Sequence, residues 1–175
     1  GSEDDVLQRL LNAANEQNLD FFANMTADIP MIDPNLIDKS IKEYFSVKAD
    51  LVIPPPDHVG ACNVVNVNAL ESICKQKEVF ETEVWVRYFH EFHACVHTMK
   101  LDEKYRHKAL KTCLDYPEDY VFIQHVFSEL YNSKKIFSSL DIIDLVGRRP
   151  ELLTINSSSK HFKRWEDHSR SLLKH

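Results

Sequence analysis

Apolar residues recur at helical spacing at Val6, Leu7, Leu10, Leu11 and Ala14, predicting an amphipathic helix near the start of the chain. Ser2 stands at the cap of that helix, with Asp5 three residues on, the spacing of a capping box with the shorter acid. Residues 19–25 are too apolar and too short for a helix and read as a buried strand. Asp33 and Pro34 open a helix through Phe45, with Leu36, Ile37, Ile41 and Tyr44 turned inward. Residues 50–53 read as the next strand, ended by Pro54, Pro55 and Pro56. The middle is less regular. Residues 63–67 alternate weakly as a strand, and 69–75 form a short helix. Residues 81–92 carry Val84, Tyr88 and Phe92 on one helical stripe, with Trp85 and Phe89 widening it. Strands follow at 94–101 and 109–114, then helices at 117–131 and 140–146 with a turn at Gly147. Such alternation predicts an α/β fold with a largely parallel sheet.

Two strand ends carry candidate chemistry. The stretch T-C-L-D-Y-P-E-D at 112–119 reads as a strand delivering Asp115 to its carboxyl end, with Pro117 starting the next helix. Upstream, an apolar strand ends in Asp28, and Asp33 caps the following helix. Carboxyl ends of strands are where open α/β sheets keep their ligands. The competing reading is structural: Asp28 begins a turn before Pro30, and Asp115 precedes a helix cap. Glu118 and Asp119 fit a first helical turn, so Asp33, Glu118 and Asp119 are read as structural.

Composition narrows the field. The chain has 175 residues, 43% of them hydrophobic, enough for one domain with a single core. That domain is expected over 1–156, followed by a basic amphipathic tail over 157–175 that holds Phe162 and Trp165 among lysines and arginines. No apolar run approaches the roughly 20 residues that span a membrane, and the amino terminus is acidic, unlike a signal peptide. Cys62, Cys74, Cys95 and Cys113 are far apart and read as buried thiols in a reducing compartment, the cytoplasm. The net charge of −6 argues against nucleic-acid binding. It also means that a phosphate ligand facing Asp28 and Asp115 needs a divalent cation between them.

Four motifs, in order, resemble the cytidylyltransferase family that activates acidic sugars, the spore-coat-polysaccharide type and makers of CMP-linked acidic sugars. N-M-T-A-D-I-P-M-I-D-P at 24–34 is similar to its T-G-D-x-P-L-I-D-P motif, and L-D-Y-P-E-D at 114–119 to its D-x-P-E-D. G-S-E-D-D-V-L at 1–7 resembles a helix start of the family. F-S-S-L-D-I-I at 137–143, with R-P-E-L-L-T-I-N at 149–156, resembles its closing helix and final turn. The resemblance implies a three-layer, Rossmann-like nucleotidyltransferase fold. It also implies transfer of CMP from CTP to an acidic or amino sugar, for surface-polysaccharide precursors. Magnesium is the implied cofactor, with Asp28 and Asp115 matching the metal-binding and catalytic positions.

The pattern also departs from the family. The basic nucleotide loop of family members has no counterpart, so the chain is expected to be a carboxy-terminal part, its sheet incomplete at the amino terminus. Ala27 stands where the family has glycine, and Ala61 and Asn63 stand where acidic residues are common in G-L-D-V-E-V. These departures support an alternative, a non-catalytic dimerisation or protein-binding module. A homodimer is expected under both readings, with no membrane and no nucleic-acid partner. A sugar-nucleotide-dependent glycosyltransferase ranks last.

Two further clusters stand out. His90, His93 and His97 have metal-like spacing, but the run from Phe92 to Val96 is expected to cross from helix to strand and scatter them. Lys104, Arg106, His107 and Lys108 are read as a solvated basic loop.

Overall fold

The computed structural model describes residues 1–157, so the expected tail over 157–175 falls almost wholly outside the described residues. The chain forms two compact units, each assembled from three separate segments. Two buried clusters, one per unit, replace the single core expected from length.

The first unit holds Gly1–Asn24, Lys39–Ile53 and Asn63–Met99. Its first helix, α1 (Val6–Glu16), is capped by Asp5, whose carboxylate accepts the Gln8 amide at 3.2 Å. Ser2 accepts the Asp5 amide at 3.0 Å, the bond expected of it, but the helix starts only after Asp5. Four strands follow: β1 (Phe21–Asn24), β2 (Leu51–Ile53), β3 (Asn63–Asn66) and β4 (Val96–Thr98), in the order β1-β3-β2-β4. The sheet is mixed rather than largely parallel. β3 runs antiparallel to both β1 and β2, and only β2 and β4 are parallel, with Leu51 opposite Val96. Parallel neighbours need a crossover, and β2 reaches β4 through α3 (Val67–Gln76) and α4 (Val86–Glu91). Leu7, Leu11, Leu51, Val65, Leu70, Ile73 and Phe89 make the core.

The helix expected over 81–92 is cut to α4 because its first turn is diverted. Thr82 donates its amide to the Asp4 carbonyl (3.0 Å) and its hydroxyl to Asp5 (3.0 Å), and it accepts the Leu7 amide (3.0 Å). Beyond α4, His93 adopts φ 56°, and this left-handed residue turns the chain into β4.

The helix α2 (Pro34–Val47) begins in the second unit and continues, from Lys39, in the first. The second unit holds Met25–Asp38, Pro54–Cys62 and the described chain from Lys100 on. It contains α5 (Pro117–Leu130), α6 (Ser139–Arg148), the single turn α7 (Thr154–Ser157) and 3-10 turns at Glu103–Tyr105 and Pro150–Leu153. Met31, Leu110, Phe122, Val126, Ile142, Leu145 and Leu152 form its core. The strand expected over 109–114 is absent. Leu110 turns back on His107, and the Leu114 amide makes one bond to Asp28 rather than a rung of a ladder.

All four cysteines are free, and Cys95 is exposed rather than buried. Among the described residues no helix is long and apolar enough to cross a membrane.

Candidate functional site

Asp28 and Asp115 both lie in the second unit, and the backbone joins them. The Leu114 amide donates to the Asp28 carbonyl at 2.7 Å, so the two motif segments run side by side where the aspartates occur. Neither sits at a strand end as expected. Asp28 lies in a turn closed by the Ile29 amide on the Thr26 carbonyl (3.1 Å), and Asp115 lies in irregular chain just before α5. Both side chains are exposed.

What fixes Asp115 is Asp119, in the first turn of α5 and only 2% exposed. One oxygen of Asp119 accepts the amides of Asp115 (3.1 Å) and Tyr116 (3.0 Å) as well as the Lys111 ammonium. The other accepts the Asn156 side-chain amide at 3.1 Å. Four donors on one carboxylate satisfy a group that would be costly to bury otherwise. Asp119 is therefore structural, as the sequence indicated.

Lys111 is the residue sequence reasoning passed over. Its side chain is 2% exposed, and its ammonium also meets Asp115 Oδ2 at 2.9 Å and stands 5.0 Å from the Tyr116 ring centroid. A signal was available: a lone charge inside an apolar stretch must find an opposite charge. Asn156, whose amide reaches both Asp119 and the Lys111 carbonyl (3.4 Å), closes the network from α7 and carried no such signal.

These contacts set the local charges. Burial pushes the Asp115 carboxyl up, but hydrogen bonds from Lys111 and Cys113 and the lysine charge outweigh it, leaving it below the usual range. Burial likewise works against the Lys111 ammonium, and its bonds to Asp119 and Asp115 overcome it. The Cys113 thiol is pushed up to about 12, chiefly by burial, so it stays protonated and is no nucleophile at neutral pH.

Asp33 is a second structural hub. It accepts the Asn35 amide at 2.9 Å at the head of α2, accepts the Ser139 amide at 2.9 Å, and donates its own amide to the Gly60 carbonyl at 3.0 Å. Gly60 takes φ 88°, and a β-carbon there would approach Ser139 Oγ to 2.1 Å. Ala27, by contrast, is not among the residues with positive φ, so the methyl that replaces the motif glycine carries no backbone strain. Ala61 is half-buried and Asn63 lies in β3.

The histidines are scattered, as the sequence led one to expect. His90 is in the last turn of α4, His93 is the left-handed residue after it, and His97 in β4 contacts Glu43 at 2.7 Å. Among the described residues no group of three or more His, Cys, Asp or Glu side chains is arranged to hold a metal ion. In the basic segment, Arg106 pairs with Glu103 (3.4 Å) and Asp57 (3.6 Å).

No protein-family model matches the chain. Over 159 residues it is 24% identical to the spore coat polysaccharide biosynthesis protein SpsF of Bacillus subtilis, covering 88% of this chain and 66% of that protein. A cytidylyltransferase structure from Leptospira borgpetersenii superposes with a TM-score of 0.72 at 22% identity, over 87% of this chain and 66% of the other. The chain is thus similar in sequence to SpsF and in fold to a cytidylyltransferase. An uncharacterized protein of Methanocaldococcus jannaschii is 28% identical over 165 residues, 90% of this chain and 66% of that one. The chain spans about 66% of the length of each of these three proteins. The structural likeness establishes that the α/β fold is shared.

Proposed function

We propose that the chain belongs to a nucleotidyltransferase of the cytidylyltransferase type, transferring CMP from CTP to an acidic or amino sugar for surface-polysaccharide precursors. The observation that carries this reading is the 2.7 Å backbone bond that brings the two motif aspartates onto adjacent segments of one unit. SpsF, named for spore coat polysaccharide biosynthesis, supports the same process.

In the proposed reaction a sugar hydroxyl oxygen attacks the α-phosphorus of CTP. A new P–O bond forms, the bond to the β-phosphate oxygen breaks, and pyrophosphate leaves as the hydroxyl proton is lost. Little covalent chemistry falls to the protein, whose task is positioning and charge neutralisation. The donor set fits magnesium, a hard ion that takes one or two carboxylates and keeps several waters. Asp28 and Asp115 are exposed oxygen donors on bridged segments. Bound there, magnesium would neutralise phosphate charge and polarise the reacting phosphorus. Asp119, through the amides of Asp115 and Tyr116, holds the loop that presents Asp115. A homodimer, with β1 and β4 as the open edges of the sheet, and a cytoplasmic setting for the free thiols belong to the same reading.

Isothermal titration with CTP and magnesium tests it, on the chain and on Asp115→Ala. Magnesium-dependent heat that the substitution abolishes is expected. The second reading, a non-catalytic module, draws on the ammonium already seated on Asp115 Oδ2. It expects no heat from either protein while the fold and any oligomer stay unchanged.

A further inference from the structure

Lys111 is bound on two sides by carboxylates of different standing. Asp119 is buried and fully committed to the loop, whereas Asp115 is exposed on the candidate site. The ammonium that joins them is itself shielded from solvent and is braced by the face of the Tyr116 ring. A lysine in this position cannot act as a mobile counter-ion for a ligand. Its partners are fixed, and the stem is enclosed. What it does control is the direction of one exposed carboxylate, because an Asp side chain in irregular chain otherwise rotates among several rotamers.

Resting on the metal reading above, we propose that Lys111 is a positioning residue: anchored by Asp119, it grips Asp115 Oδ2 and so orients the other oxygen toward a divalent cation shared with Asp28. Groups one step behind a metal ligand commonly act this way, and their loss weakens metal binding by about ten- to a hundredfold.

Charge and position can be separated. Removing Lys111 alone would strand a buried Asp119 carboxylate and threaten the fold. The double variant Lys111→Met/Asp119→Asn removes one positive and one negative charge together, so the net charge near Asp115 is unchanged. The new amide keeps an oxygen for the backbone amides of Asp115 and Tyr116. Its NH2 faces Asn156, which reverses its own amide to accept. Besides the 3.4 Å bond from Asn156 to the backbone carbonyl of residue 111 and the contact with the Tyr116 ring, what is lost is the ammonium's grip on Asp115, whose Oδ2 keeps the Cys113 thiol at 3.2 Å.

Free manganese measured by electron paramagnetic resonance, titrated into the chain as a probe for the divalent ion, gives the affinity, with thermal melting as the control on folding. The double variant is expected to bind manganese about tenfold more weakly. Lys111→Arg, which keeps a cation between the two carboxylates, is expected to stay near the parent value. Unchanged or tighter binding by the double variant would overturn the proposal, since a lysine that merely competes with the metal would release a better site when removed. A folding failure of the double variant leaves Lys111→Gln, a shorter neutral donor, which must fall below Lys111→Arg in affinity for the proposal to stand. Manganese binding to the parent that Asp115→Ala does not reduce would sink the metal reading itself, a result distinct from these.

Discussion

At Gly60 a single hydrogen atom in place of a side chain decides whether three segments of the second unit can meet. The carbonyl of Gly60 receives the Asp33 amide, and Asp33 in turn receives the amide of Ser139. A methyl group there would meet Ser139 Oγ at 2.1 Å and would sit at φ 88°, where L residues are strained. Gly60→Ala is therefore expected to destabilise the protein by about 1–3 kcal/mol, read as a lowered urea midpoint with an unchanged slope. The same scale shows what a sequence can and cannot disclose. Asp33 and Asp119 were legible as structural because each stands at a helix start, a local feature. Lys111 and Asn156 were not, because their partners are set by how distant stretches come together. Ala27, standing where the motif has glycine, does not adopt the positive φ that would need one.

Helices of the second unit owe much of their definition to their first turns. α6 begins with a reciprocal capping box: Ser138 accepts the Asp141 amide at 3.3 Å, and Asp141 accepts the Ser138 amide at 2.7 Å and its hydroxyl at 2.8 Å. Ser138→Ala removes the cap acceptor and is expected to cost about 1 kcal/mol, measurable as a drop in melting temperature. Periodic helices with a start signal, α1, α2 and α5, were readable for this reason; α6 was read without its cap, and the turn expected at Gly147 lies inside it. The stretch 109–114 shows the opposite case. Its apolar residues suit a strand, but Leu110 goes into the core of the second unit while Lys111 is drawn into the Asp119 network. No neighbouring strand offers a ladder, so the segment stays irregular and the aspartate it was expected to deliver is presented by a loop.

For the molecule as a whole, acid stability is where buried carboxylates act together. Asp5 is the clearest contributor. Burial pushes its carboxyl up, but Lys77 at 2.5 Å, the Gln8 amide and the Thr82 hydroxyl together hold it below the ordinary value. A carboxylate depressed in the folded state stabilises fully above its unfolded pKa of about 3.9 and loses that contribution as pH falls through its lower folded value. Urea unfolding at pH 7, 4 and 3 is expected to show stability falling below about pH 4, with a shallower fall in Asp5→Asn. The likeness to SpsF and to the fold of a cytidylyltransferase was legible from ordered motifs. The sheet's mixed direction was not, since strand polarity follows from pairing between β1, β3 and β2 that no local pattern encodes. Nor did composition reveal that the buried residues would divide into two clusters.

Each unit is stitched from three stretches of sequence that alternate along the chain. During synthesis, then, neither can finish as a contiguous piece leaves the ribosome. The first waits for Met99, and the second waits for α5 and α6, which lie beyond it. Until then Met31 and Val59 are without the α5 and α6 side chains they pack against. While it waits, a nascent chain of this kind has apolar surface uncovered, which is the period in which chaperones matter most. It also means that a chain cut before Met99 contains neither unit whole.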